Sequence, residues 1–402
     1  IGSSVLAQPS CAAAHRTPPS TAVQPITFHP MRVIAASVAA CFAVLRGSKS
    51  ALELESYTFE DFERDFARKY TTAERENRKK IVEKNLQFVK TQNKKQGATW
   101  VAGVNELTDR TEEEFERDFT GLNSGMRFAG HGRAVSHLSH RVNVTKVNTT
   151  AKELPASVDW RQKGVVTPVM RQGACGSCWA VAAAGALESH LAISNGNLQR
   201  VAAGAIRDCV QNPKACGGEG GCRGAVAQLA YNWTQQTGVI MESDYAYSDQ
   251  DGVCASEHTP KRGKISGYKQ LPANQGAPLK EALALTGPVT VSVAVPSSFR
   301  SYSSGVLTCG DSAGTEDWKI SHAVLAVGYG SDATYGPYWL LKNSWGPRWG
   351  EEGYLRVARQ DGSEPCGTDV APELGFSCKP YPQSIKVCGH CGVLSDSSYP
   401  VV

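Results

Sequence analysis

Hydrophobic and polar positions change rhythm four times along the 402-residue chain. The Pro-, Ser- and Ala-rich opening begins without Met, and Met31-Arg32 then leads into an uncharged run over 33–45. Those 13 residues suit the roughly 7–15 of a signal-peptide core and fall short of the roughly 20 of a membrane span. Residues 1–50 therefore read as upstream leader plus export signal, with Met31 as the start and cleavage between 43 and 51. A charged stretch follows over 51–121, where Phe59, Phe62 and Phe66 stand at helical spacing and 74–93 predicts a second, longer helix. The period dissolves over 122–153, where Gly, His and Ser gather and Asn143-Val-Thr145 and Asn148-Thr-Thr150 form glycosylation sequons. Such a composition predicts an exposed, cleavable linker. Beyond 154, Ala180, Ala182, Ala183, Ala184, Ala186 and Leu187 predict a buried helix directly after Cys178, with Gly185 tolerated inside it. A further helix is predicted around 225–237, enclosing a third sequon, Asn232-Trp-Thr234. From 276 the pattern turns to strands at 289–295, 323–329, 338–342 and 353–357, the first two rich in β-branched residues. A helical half followed by a β half predicts two packed lobes with a cleft between them.

Composition changes this picture in one respect. An apolar content of 41% and a charged content of 20% describe a globular chain long enough for two or three cores. The net charge of +4 is small and dispersed, which gives no case for a nucleic-acid or membrane-surface partner. The thirteen cysteines are unevenly placed: only Cys11 and Cys41 precede position 175. That is the distribution of a disulfide-braced exported domain rather than a cytosolic one. Cys378, Cys388 and Cys391 cluster around His390, but one C-x-x-C without a matching second pair favours further bridges over zinc.

Cys178 stands apart by its setting. Gly173, Gly176 and Ser177 make a tight approach to the helix, so its thiol lies at a helix N-terminus, where unpaired N–H groups favour the reactive thiolate. Gln172 is placed to fold back and aim its amide N–H at an oxyanion beside the Cys178 N–H. A half-cystine in a Gly-rich turn is the plain alternative. A thiolate that cleaves an amide needs a base that also delivers a proton, most often His. Of the nine His, five precede 154, His190 is mid-helix, His258 is in a polar loop and His390 lies between two cysteines. His322 opens the strand Ala323-Val-Leu-Ala-Val-Gly-Tyr-Gly330, 144 residues after Cys178. Asn343, in Tyr338-Trp-Leu-Leu-Lys-Asn-Ser-Trp345, can hold the imidazole in one tautomer. Taken singly, His322 is a half-buried strand-edge residue and Trp345 and Trp349 are core.

Several blocks carry a family resemblance. Cys175-Gly-Ser-Cys-Trp179 matches the C-G-[SA]-C-[WY] signature of papain-like enzymes, whose His and Asn follow about 130–150 residues downstream. Glu74, Arg78, Val82, Asn85, Val89 and Asn93 resemble the E-R-F-N-I-N pattern of their propeptides, with Val82 for Phe. Gly103-Val-Asn-Glu-Leu-Thr-Asp109 resembles the G-x-N-x-F-x-D element, with Leu107 for Phe. Leu154-Pro-Ala-Ser-Val-Asp-Trp-Arg161 resembles the mature N-terminus, which places the activating cut at 152–155. On these blocks residues 57–370 resemble a papain-family, cathepsin L-like cysteine peptidase zymogen.

The resemblance implies an α+β, papain-like two-lobe fold. Its helical left lobe is expected over 154–275 and its β-barrel-like right lobe over 276–370. An α-helical inhibitory prodomain would precede them and a Cys-containing tail, 371–402, would pack on the peptidase. It implies a monomeric endopeptidase that needs no metal or organic cofactor, acts on proteins and peptides, and is restrained by its own propeptide. It would travel the secretory route to a lysosome, a vacuole or the exterior. In this reading Cys178 attacks, Gln172 holds the oxyanion, His322 serves as base and acid, Asn343 orients it and Trp345 shields that hydrogen bond. Gly224 and Ala225 would lie along the substrate backbone. The P2 pocket would be lined by Val226, Ser292, Ile320 and Ala323, with Ala371 as floor, five past Cys366. Such small, uncharged walls predict Leu or Phe at P2. The implied bridges are Cys175–Cys222, Cys209–Cys254 and Cys309–Cys366, with Cys216 competing for Cys175. Three departures stand out: Ala225 for the usual second Gly, Ser321 for Asp or Asn before the His, and an uncapped helix start near Val201.

Overall fold

Threonines start three of the four prodomain helices. A first short helix, α1 (Ala51–Glu55), is followed by α2 (Phe59–Asp65), which Thr58 opens in a capping box with Asp61. Thr71 caps α3 (Thr72–Lys94), and a three-residue strand, β1 (Trp100–Ala102), comes next. Thr111 then opens α4 (Glu112–Phe119) with Glu114. Val82 and Leu86 of α3 pack with Tyr57, Phe59 and Phe62 into a small core, so the predicted Phe spacing does bury one face of α2. In this computed structural model the described residues are 51–120, 153–309 and 315–402. The export signal, the sequons at Asn143 and Asn148 and nearly all of the linker lie outside them.

The helical half of the peptidase follows a short strand, β2 (Val158–Asp159), and comprises α5 (Cys178–Asn195), α6 (Ala203–Cys209) and α7 (Ala227–Thr237). Small side chains let α5 lie close to the sheet: a Cβ on Gly185 would stand 3.1 Å from a methyl of Leu325. As its Ala-rich start predicts, α6 has no side-chain cap at Ala202. The β half runs through β3 (Gly267–Gln270), α8 (Gly276–Leu285), β4 (Val289–Ala294), α9 (Ser297–Arg300) and β5 (Tyr302–Leu307). It continues with β6 (Ile320–Asp332), β7 (Gly336–Lys342), β8 (Tyr354–Ala358), β9 (Cys366–Asp369), β10 (Ile385–Cys388) and β11 (Ser397–Val401).

Eight strands form an open path, β1-β5-β8-β7-β6-β4-β11-β3, with β2 added on β6, while β9 and β10 pair separately. The sheet does not close, so the lobe that the resemblance implies as barrel-like is an open sheet. β11 lies between β4 and β3, which makes the end of the expected tail an interior strand rather than an appendage. β1 of the prodomain pairs with β5 of the peptidase. That approach requires Gly305, at φ +93°, because a Cβ there would come 2.6 Å from the Thr99 carbonyl. The two-residue period of β6 divides its side chains between two cores. Val324 and Ala326 join the core that includes prodomain residues Trp100 and Phe115, whereas Ala323, Leu325 and Val327 join the core around α5.

Five disulfides brace the described residues. Cys175–Cys222 and Cys209–Cys254 tie the helical half, and Cys216 bonds Cys378. The implied Cys309–Cys366 bridge is absent: Cys309 bonds Cys391 and Cys366 bonds Cys388. Strand register is the reason, since β9 and β10 pair antiparallel with Cys366 directly opposite Cys388. All three tail thiols are thereby used, and among the described residues no His, Cys, Asp or Glu cluster is arranged to hold a metal.

Candidate active site

Cys178 is the first residue of α5 and the one free cysteine among the described residues. It is buried in one cluster with Ala323 at the start of β6, where the nearby backbone N–H groups of Ala323, Trp179 and Cys178 itself favour the thiolate. The residue before Ala323 is His322, so the imidazole belongs to the strand segment that touches the thiol. Its Nε2–H donates to Asn343 Oδ1 at 2.8 Å, and that oxygen also accepts the Ser344 N–H at 2.8 Å. This bond selects the tautomer and leaves Nδ1 as a buried acceptor with no protein partner. Cys178 and His322 line the same recess, about 390 Å³ including the solvent at its mouth. Trp345 stacks on the His322 ring, 4.8 Å between centroids, and is itself packed edge-on against Phe299 and Trp349. One face of the imidazole is thus covered by an aromatic cluster.

Gln172 is completely buried and fixed at both ends of its amide. Oε1 accepts the Ser344 hydroxyl at 2.6 Å, while Nε2 donates to the Cys175 carbonyl at 2.8 Å and to the Phe119 carbonyl at 3.2 Å. Phe119 ends α4 of the prodomain, and its carbonyl also accepts the Trp345 indole N–H at 3.3 Å. Thr120, next in the chain, reaches the recess beside Cys178. Burial has an electrostatic effect on both reacting groups. Burial pushes the Cys178 thiol up to about 11 against the pull of the surrounding N–H groups, and lowers His322 to about 4. The helix N-terminus predicts an acidified thiol; in this zymogen desolvation outweighs it and favours the neutral form of both groups.

The prodomain contacts were not legible in the motifs. Phe115 packs edge-on against Trp345 at 5.2 Å and lies under the Arg300 guanidinium. Glu106 pairs with Arg171 and Arg348, both on the peptidase. Arg300 donates to Asn85 Oδ1 at 3.0 Å. One signal was available in the sequence: Phe115 and Phe119 are four apart in an otherwise charged helix, the spacing of an apolar stripe that needs a partner.

Gly224, Ala225, Val226, Ser292, Ile320 and Ala323 all line the recess. Ala371 does not. The chain turns through Pro372–Leu374, and it is Leu374 and Gly375 that reach the wall. The reason lies in the disulfides, because the expected floor sits five residues past Cys366 only if that cysteine bonds Cys309. With Cys309 joined to Cys391, the same count lands on Asp396, whose Oδ2 accepts the Ser292 hydroxyl at 2.8 Å. Its Oδ1 accepts the side-chain amides of Gln228 and Gln270 at 2.7 and 3.3 Å, and burial raises its pKa.

Residues 154–374 match the papain family of cysteine proteases, and residues 59–115 match the cathepsin propeptide inhibitor domain. The chain belongs to the papain family. A senescence-specific cysteine protease of Arabidopsis thaliana is 34% identical over 346 residues, 83% of this chain and 87% of that protein. Mouse cathepsin K is 36% identical over 72% of this chain and 84% of its own length. Among solved structures, a digestive procathepsin L2 proteinase from Tenebrio molitor larval midgut superposes with TM-score 0.67 at 31% identity, covering 86% of this chain and 98% of that one. The protein is therefore a cathepsin L-like cysteine endopeptidase in zymogen form, with an α+β, papain-like fold and its own inhibitory propeptide. Protein substrates follow from that membership.

Proposed function

We propose that this papain-family peptidase hydrolyses peptide bonds through Cys178, His322 and Asn343. The observation that carries the reading is the bare Nδ1 of His322, buried in one recess with a free thiol while its Nε2 is fixed by Asn343. Once the prodomain leaves and water returns, the Cys178 proton passes to His322 Nδ1, and thiolate and imidazolium stabilise each other. The sulfur attacks the scissile carbonyl carbon. Gln172 Nε2–H and the Cys178 N–H hold the resulting oxyanion, a pair in which each donor is worth roughly 2.7–4 kcal/mol. His322 Nδ1–H protonates the amine as the C–N bond breaks. Water, deprotonated by the same nitrogen, then releases the acyl group and restores the thiol. The Phe119 carbonyl, lying on Gln172 Nε2–H and the Trp345 indole N–H, occupies donors that a substrate would need.

The recess walls formed by Val226, Ile320 and Ala323 favour Leu or Phe at P2. Asp396 is engaged by three donors and kept toward its neutral form by burial, so it offers little counter-charge to Arg in acid. The five bridges and the signal-like run at 33–45 fit an exported monomer bound for a lysosome, a vacuole or the exterior. No helix among the described residues is long and apolar enough to cross a membrane, and the small net charge of +4 gives no case for a nucleic-acid partner. Labelling of the converted enzyme by an epoxide or vinyl-sulfone probe, lost in Cys178→Ser, tests the mechanism. Persistent labelling at another residue would defeat it. A P2 peptide library in which Arg equals Leu at acid pH would defeat the pocket reading.

A further inference from the structure

The recess beside Cys178 has one wall on the helical half and one on the sheet, and a segment outside both crosses between them. On the sheet side that segment starts from the β9–β10 pair, locked by Cys366–Cys388. Asp369, fully buried at the end of β9, fixes its departure: Oδ2 accepts the Ile320 N–H at 3.2 Å and Oδ1 accepts the Ala371 N–H at 2.8 Å. After the turn at Pro372–Leu374 the chain reaches the helical side. There the Gly217 N–H donates to the Ser377 carbonyl, the Lys379 N–H donates to the Lys214 carbonyl, and the Tyr381 hydroxyl donates to the Ala215 carbonyl, at 3.1, 2.8 and 2.7 Å. Cys216–Cys378 completes the crossing with a covalent bond between residues 162 apart in sequence. Backbone fills the gap between the walls at Gly375: a Cβ on Gly217 would come 2.5 Å from the Gly375 carbonyl, and one on Gly375 would come 2.8 Å from that of Ile320. Leu374 and Gly375 line the recess.

We propose that the segment 372–381 is a disulfide-fixed end wall of the substrate recess, and that it sets the largest side chain the enzyme accepts at P2. The proposal rests on the peptidase reading above. A wall held by three hydrogen bonds alone would open in local fluctuations and admit larger groups. A wall bonded to the opposite side cannot move away without carrying that side along. The apolar tip at Leu374 meets the end of an entering side chain, so the recess accepts Leu or Phe and rejects the indole of Trp.

The test uses the full chain, converted to its active form and counted by titration of Cys178 with an epoxide probe. Peptides that differ only at P2 (Leu, Phe or Trp) are then compared by kcat/KM in the parent, in the double variant Cys216→Ser/Cys378→Ser, and in Leu374→Ala. The parent should favour Leu over Trp at least about tenfold. Both variants should bring that ratio within about threefold, chiefly through a lower KM for the Trp peptide. A purely structural tether would lower thermal stability in the double variant and leave the ratio where it was. An unchanged ratio in either titratable variant, or a parent that cleaves Trp and Leu peptides alike, overturns the proposal. Should the double variant fail to fold, Leu374→Ala decides alone. A parent with no titratable Cys178 overturns the peptidase reading and the wall with it, an outcome distinct from a titratable enzyme whose ratio does not move.

Discussion

The cleft has two covers, and they are attached by different chemistry. The prodomain is held by a strand pairing between β1 and β5, an aromatic contact from Phe115 to Trp345, and ion pairs from Glu106 to Arg171 and Arg348. Every one of these is reversible. The segment 372–381 crosses the other end and is held by Cys216–Cys378, with Cys366–Cys388 beneath it. A cover that must leave is attached by many weak contacts, whereas a cover that shapes specificity is bonded in place. The difference also reaches the titrating groups. Thr120 of the prodomain lies in the recess with Cys178, so the departure of the prodomain changes the solvation of the thiol and the imidazole; the permanent cover is there before and after.

The removable cover restrains activity only if the residue beneath it is the reacting one. Cys178→Ala should reduce kcat/KM by at least about 10⁴-fold, as removal of a nucleophile that works with its base does; peptide hydrolysis by the converted variant is the measurement. Next in size is the change in the thiol itself. With Cys178 raised to about 11 and His322 lowered to about 4, the zymogen thiol is protonated from weak acid to neutrality. Iodoacetamide should therefore alkylate the zymogen at pH 6 at least about 100-fold more slowly than the converted enzyme, because only the thiolate reacts. The onset of alkylation should also move to lower pH on conversion. Equal rates in the two forms would show that the prodomain does not control the thiol.

A smaller effect sharpens how the removable cover is held. Glu106→Gln leaves Arg171 and Arg348 without their carboxylate, but both arginines are about half exposed, at 49% and 58%. Solvent screening limits the loss to about 1 kcal/mol, which should speed zymogen conversion roughly fivefold; gel-resolved conversion at fixed pH reads it. The smallest concerns the pocket. Because burial raises the Asp396 carboxyl, it is neutral in acid and ionises only as pH climbs beyond the ordinary carboxylate range. The Arg-to-Leu ratio at P2 should rise about two- to threefold with pH over that interval, while staying below one in acid. Asp396→Asn should flatten the rise, and a slope that persists in the variant would assign it elsewhere.

Much of the protein was legible because its signals are local. The run of Ala after Cys178 announces a buried α5 and the alternation after His322 announces β6. Gln172, His322, Asn343 and Trp345 could be picked out because each lies in a short block with its own chemistry. The bridges of the last third could not. Whether Cys309 meets Cys366 or Cys391 depends on a strand register that spacing does not encode, and with that one pairing the residue five past the bridging cysteine becomes Asp396 rather than Ala371. The crossing segment was hidden for a related reason: Pro, Gly and polar residues over 372–381 carry no period, and its position comes from anchors far away in sequence.

β1 has a further effect on the peptidase it covers. While the prodomain is present, β5 is flanked on both sides, by β1 and by β8. When the prodomain goes, the carbonyl and amide groups opposite Trp100 and Val101 face solvent, and a strand that was enclosed becomes a border of the sheet. The released enzyme then carries a margin of unpaired backbone that its precursor keeps covered.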